Sequence, residues 1–177
     1  MCKVIQISGI AIVCAVLLVL FVPPAVLKNA GLYVVEWLVH QSADVKETTP
    51  RELAENMQHD SARFLVFDVR EREEYNESHI KGAIHLLPST SVNDFMRLYG
   101  RTVQDKKIVM YCSVGKRSSD AALRMEGSAT EAGAASVKNL RGGIFRWYND
   151  GFPVCNNQGF TREIHTYSKL WSFFVAQ

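Results

Sequence analysis

The chain has 177 residues, 47% of them apolar and 21% charged, which suits one globular domain of ordinary size with an appendage. Its net charge is only +2 and the basic residues are scattered, so it lacks the electrostatic footprint of a nucleic-acid binder. The four cysteines, at positions 2, 14, 112 and 155, form no CxxC pair and have no histidine at metal-ligand spacing, which argues against a zinc site and against a disulfide scaffold.

Val4 to Leu27 contains no charged residue, and Ile10 to Val22 is continuously apolar. As a helix this run reaches about 36 Å, against a hydrocarbon core of about 30 Å. It reads as an uncleaved membrane anchor, with a cleaved signal peptide or a buried core helix as alternatives. Cleavage is disfavoured because Pro23/Ala25 and Lys28/Ala30 are poor small-residue pairs. Pro23-Pro24 would end or kink the helix, and Tyr33 and Trp37 suit an interfacial belt, so a boundary is expected between residues 28 and 40. The soluble part is expected outside the cytoplasm.

Thr49-Pro50-Arg51-Glu52 has the pattern of a capping box with proline at the first helical position, predicting a helix from Pro50 to about Gln58. Phe64 to Phe67 reads as a strand, Ala83 to Leu86 as a brief one, and Ser91 to Leu98 as a short helix with Val92, Phe95 and Met96 inward. Ile108 to Tyr111 is a further strand that ends directly at Cys112. A helix is expected from Ser118 to about Ala132, a strand from Ser136 to Leu140, and a helix opened by Gly142-Gly143 and running through Trp147. Strands alternating with helices predict an α/β fold with a parallel sheet, in which ligands bind at the carboxyl ends of strands.

Cys112 stands at such an end, in the run Cys112-Ser113-Val114-Gly115-Lys116-Arg117-Ser118. A free thiol titrates near pH 8.5, so reaction near neutrality needs a helix N-terminus or adjacent cations. The run offers both. Its backbone N–H groups can turn inward as an anion nest, Gly115 can adopt a backbone closed to other residues, and Lys116 and Arg117 stand at the rim. Arg117 can fork onto an oxyanion, while Ser118 or Ser119 can cap the following helix or donate to the bound group. A lone cysteine at a strand end is more often a small buried hydrophobe, but here strand, cysteine, glycine, two cations and helix start occur in order. No cofactor or metal is implied.

Phe67-Asp68-Val69-Arg70, then Glu74-Tyr75, then His79-Ile80-Lys81-Gly82-Ala83, resembles the first signature of the rhodanese sulfurtransferases. Leu140-Arg141-Gly142-Gly143 with Trp147, Gly151 and Pro153 resembles their last, and the cysteine loop falls between them. The resemblance implies a five-stranded parallel sheet flanked by helices over residues 48–155, after an anchor at 1–28 and a linker at 29–47 and before an aromatic tail at 156–177. It also implies that Cys112 takes sulfur from thiosulfate or a persulfide and passes it to a thiol or cyanide. Arg117 would hold the oxyanion, Asp68 and Arg70 would support the loop, and His79 would fix a turn.

Four residues separate Cys112 from Arg117, whereas similar phosphatases and arsenate reductases have five, so the spacing favours sulfur over a tetrahedral oxyanion. A non-catalytic binding or scaffold module on the same fold is the other alternative. Two departures from the family pattern are expected to be mild: Ser78 replaces a common glycine, and Glu126 to Gly133 adds about four residues, read as a longer loop. Cys155 is either a resolving thiol or a surface cysteine. His40, His59, His85 and His165 share no ligand spacing. Tyr167, Trp171, Phe173 and Phe174 in the tail either pack on the domain or touch the membrane.

Overall fold

The computed structural model describes residues 24–166 together with 174 and 175. The apolar run expected to form the anchor lies outside these residues except for its last few, as do Tyr167, Trp171 and Phe173 of the tail. Among the described residues no helix is long and apolar enough to cross a membrane.

The alternating pattern produces five parallel strands, β1 (Glu47–Thr48), β2 (Phe64–Asp68), β3 (Ile84–His85), β4 (Lys107–Tyr111) and β5 (Ser136–Leu140), in the order β1-β5-β4-β2-β3. Among the described residues six α-helices accompany them: α1 (Pro24–Ser42), α2 (Pro50–Asp60), α3 (Arg72–Glu77), α4 (Val92–Tyr99), α5 (Lys116–Glu131) and α6 (Gly143–Asn149). An antiparallel hairpin, β6 (Val154–Asn156) and β7 (Gly159–Thr161), follows.

Successive residues of a strand face opposite sides, so β2 and β4 bury two separate sets. Val66, Val109 and Tyr111 pack with Leu53 of α2 and with Ile144, Phe145 and Trp147 of α6. Phe67, Ile108 and Met110 pack with Phe95 of α4 and with Ala121, Ala122 and Met125 of α5. Both faces are thus covered, as a parallel sheet requires. The α2 cap forms as its sequence predicts: the Glu52 N–H donates to Thr49 Oγ1 at 3.2 Å, and the Thr49 N–H to Glu52 Oε2 at 2.9 Å.

Several expectations change. The stretch 29–47, read as a linker, is helical through Ser42, in a helix whose Leu32 is fully buried beside Leu53, Leu140 and Ile144. α5 runs to Glu131, in keeping with the helix expected to about Ala132, so only the reading of the added residues as a longer loop fails: Met125 and Ala129 fall four apart on the buried face and the turn comes at Gly133, with φ of 92°. The tail returns to the domain at Phe174–Val175: Val175 joins the core, and the Phe174 carbonyl accepts from Asn149 Nδ2 at 2.7 Å.

Candidate active site

Cys112 follows the last residue of the central strand β4, and the loop behind it turns at Gly115, whose φ of 102° favours glycine. The Gly115 N–H donates to Cys112 Sγ at 3.2 Å, and α5 starts at the next residue. The sulfur therefore sits in a turn of backbone at the N-terminus of a 16-residue helix. That helix begins two residues earlier than expected and has no side-chain cap. Ser118 is accordingly neither a cap nor a free donor. Its buried hydroxyl donates to Asn139 Oδ1 at 2.7 Å and to the Gly115 carbonyl at 3.1 Å, tying the loop to β5.

A second clamp comes from α6. The Cys112 and Ser113 carbonyls accept from the Ile144 and Phe145 N–H groups at 2.9 and 3.1 Å. This approach needs a glycine at 143, where φ is 56° and an added Cβ would overlap the Cys112 carbonyl oxygen.

The two cations of the loop are already engaged. Arg117 forks onto Glu74 of α3, with Nη1 to Oε2 at 2.7 Å and Nη2 to Oε1 at 2.8 Å, and Nη2 also donates to Ser113 Oγ at 3.0 Å. Ser113 in turn donates to Glu74 Oε1 at 3.0 Å. Burial works against the Glu74 carboxylate, but the Arg117 fork, the Glu71 backbone and the charges of Arg117 and Arg70 outweigh it and hold its pKa at about 2. For Arg117 burial again opposes the charge, while Glu74 and the nearby Cys112 sulfur raise its pKa. Lys116 reaches Asp120 at 2.6 Å on the exposed side of α5. Arg117, for which the sequence suggested an oxyanion partner, is paired here with a buried carboxylate 43 positions away in sequence.

Asp68 and Arg70 lie beneath the loop, both fully buried. Arg70 donates from Nε and Nη2 to Asp68 at 2.8 and 2.7 Å, and from Nη2 to the Ser78 carbonyl at 2.5 Å. Tyr111, the residue before Cys112, donates to Asp68 Oδ2 at 2.7 Å and accepts from the Ile80 N–H at 3.0 Å. This network pins the end of β4 to β2 and so sets where Cys112 begins. His79 stacks on Tyr75 with centroids 4.0 Å apart and exchanges backbone hydrogen bonds with Cys155, which anchors the β6 hairpin near α3. Cys155 is half-buried in that hairpin, where burial pushes its thiol pKa up.

A cleft of about 570 Å³ opens over Cys112, lined also by Ser113, Val114, Lys116, Arg117 and Glu71. Of its remaining walls, Phe145 of α6 reads from the sequence only as core or rim, and Val35 and Val39 of α1 were not singled out. Glu74 was noted only as part of a signature; its place at the third helical position, three after Glu71, was the one local sign of a buried role. Tyr111, Asn139 and Glu36 had no local sign. Among the described residues no group of His, Cys, Asp and Glu is placed to hold a metal ion.

Residues 49–150 match the family model described as a rhodanese-like domain. Over 108 residues the chain is 36% identical to a probable adenylyltransferase/sulfurtransferase, MoeZ, of Mycobacterium tuberculosis, covering 60% of this chain and 26% of that protein. It therefore spans about a quarter of that relative's length. A sulfurtransferase of Allochromatium vinosum is 30% identical over 104 residues, or 56% of this chain and 86% of that one. The crystal structure of BH2092 protein from Bacillus halodurans is similar with a TM-score of 0.51 at 27% identity, covering 65% of this chain and 80% of its own. As-Sb reductase from Leishmania major, with a TM-score of 0.54 at 21% identity over 61% of this chain and 79% of its own, shares the fold alone.

Proposed function

The chain belongs to the rhodanese-like domain family, and from that premise we propose that it is a sulfurtransferase carrying sulfane sulfur as a persulfide on Cys112. The observation that supports this most directly is the seat of Sγ itself, with the Gly115 N–H upon it and the α5 N-terminus behind it, facing the cleft. The helix N-terminus turns partial positive charge toward the sulfur, which suits the anions that the transfer passes through. The thiolate attacks the outer sulfur of a donor, the donor's S–S bond breaks, and its electron pair leaves with the remaining fragment. A thiol acceptor then takes the sulfur from Cys112 and regenerates the thiolate.

The test is intact mass measurement after incubation with thiosulfate and with a small persulfide. The wild-type chain gains one sulfur atom and the Cys112→Ser chain gains none. Absence of sulfur on the wild type with both donors would sink the reading.

We also propose that the domain is held at a membrane surface, outside the cytoplasm. The uncharged run 4–27 supports this, as does the outer side of α1, where Tyr33, Val34, Trp37 and Leu38 are each more than half exposed. Flotation of the full chain with lipid vesicles and protease access on intact cells test it. A chain that stays unbound, or a domain shielded by the intact cell, rejects the corresponding half.

A further inference from the structure

Helix α1 lies outside residues 49–150, the part that matches the family, yet it forms one wall of the Cys112 cleft. It is held there by charge as well as by packing. Glu36, only 3% exposed, accepts from Arg146 Nε at 2.6 Å and lies 3.8 Å from Arg141 Nε, while the Arg146 guanidinium stacks 4.0 Å from the centre of the Tyr33 ring. Gly142 leaves room for this carboxylate, since an added Cβ would overlap Glu36 Oε1. With α1 so fixed, Val35 and Val39 line the cleft together with Val114 and Phe145, giving the Cys112 site a largely apolar wall.

Size and charge point the same way. A cleft of about 570 Å³ falls in the range of about 300–1,000 Å³ usual for organic ligands and is far larger than a thiosulfate ion needs. Its two cations are neutralised by Glu74 and Asp120, and Glu71 adds a carboxylate to the lining. A small dianion would find little net attraction there, whereas an apolar body would find walls to bury against.

We propose that α1 is the specificity element of this site, with Val35 and Val39 selecting a sulfur donor that has an apolar organic body, an organic hydropersulfide, over thiosulfate. The inference rests on the sulfurtransferase reading above. The step is Cys112–S⁻ + R–S–SH giving Cys112–S–SH + R–S⁻. The bond from Sγ to the outer sulfur forms, the R–S to S bond breaks with its electron pair on R–S⁻, and the proton stays on the transferred sulfur. No outside oxidant or reductant is needed. Glu36 is a positioning residue, acting only through the placement of α1.

The experiment measures sulfur uptake on Cys112 of the full chain by quenched mass spectrometry with three donors: thiosulfate, glutathione persulfide and benzyl hydropersulfide. The wild type should prefer the benzyl donor to both others by about tenfold or more in kcat/KM. In Val35→Ser/Val39→Ser the benzyl-to-glutathione ratio should fall about tenfold, and Glu36→Gln should lower the same ratio by loosening the wall. A partly misfolded sample lowers all donors alike, so the ratio does not respond to it. A ratio unchanged in both variants, or a wild type that prefers thiosulfate, overturns the specificity proposal and leaves sulfur transfer standing. Failure of every donor on the wild type overturns both.

Discussion

Replacing Glu74 with Gln removes the charge that holds Arg117 while nearly keeping the shape. Glu74 is 1% exposed, and its pKa is depressed from the ordinary 4.5 to about 2. At about 1.4 kcal/mol per unit, that shift corresponds to some 3 kcal/mol of folding stability. Because the Arg117 side chain is 34% exposed, water replaces part of the lost partner, and about 2 kcal/mol is the better expectation. The folded-state pKa lies below the unfolded one, so this stability is present above about pH 4.5 and fades as the pH falls toward 2. Urea denaturation near neutral pH should therefore show Glu74→Gln less stable by about 2 kcal/mol, a midpoint shift of about 1 M. The gap should narrow as the titration approaches about pH 3. A gap that stays constant over that range, or none near neutrality, would refute the assignment of Glu74 as the charged partner of Arg117. The same substitution frees a guanidinium beside Cys112, so the thiosulfate rate should rise relative to the organic persulfide rate.

Asp68→Asn leaves the fully buried Arg70 guanidinium without its counter-charge and should cost about 3–5 kcal/mol in chemical denaturation; a loss under about 1 kcal/mol would mean the pair does not carry the end of β4. Gly143→Ala should abolish sulfur uptake by Cys112 in the mass assay and lower stability by about 2 kcal/mol or more, because the new methyl meets the Cys112 carbonyl in a backbone conformation that disfavours alanine. Gly127→Ala is its control. This exposed helical glycine has no atom within contact range of an added Cβ, so alanine should raise stability by about 0.5–1 kcal/mol in the same melt and leave uptake intact.

Much of the fold was legible because its determinants are local. The capping box at Thr49, the apolar runs that became β2 and β4, and the glycine pair before α6 each act within a few residues of themselves. β1, at two residues, was not legible: its strand character comes from pairing with Asn139 and Leu140 of β5, not from its own composition. α5 reaches Glu131, close to the Ala132 expected for it, and only the loop reading of the added residues failed, because burial of Ala129, a tertiary contact, outweighed the helix-weakening Gly127. Helix α1 was hidden for a similar reason, since its mixed composition makes sense only once Leu32 and Glu36 have partners more than a hundred residues away in Leu140 and Arg146.

Cys112 and its loop follow from sequence alone, as strand end, glycine turn and helix start are set by neighbouring residues. The same residues left open where the charge of Arg117 would go. A guanidinium takes whichever carboxylate the chain folds against it, and that choice fell to Glu74, then to Asp120 for Lys116 and to the valines of α1 for the cleft wall. Spacing within the loop thus singles out Cys112, while long-range packing and charge pairing decide what surrounds it.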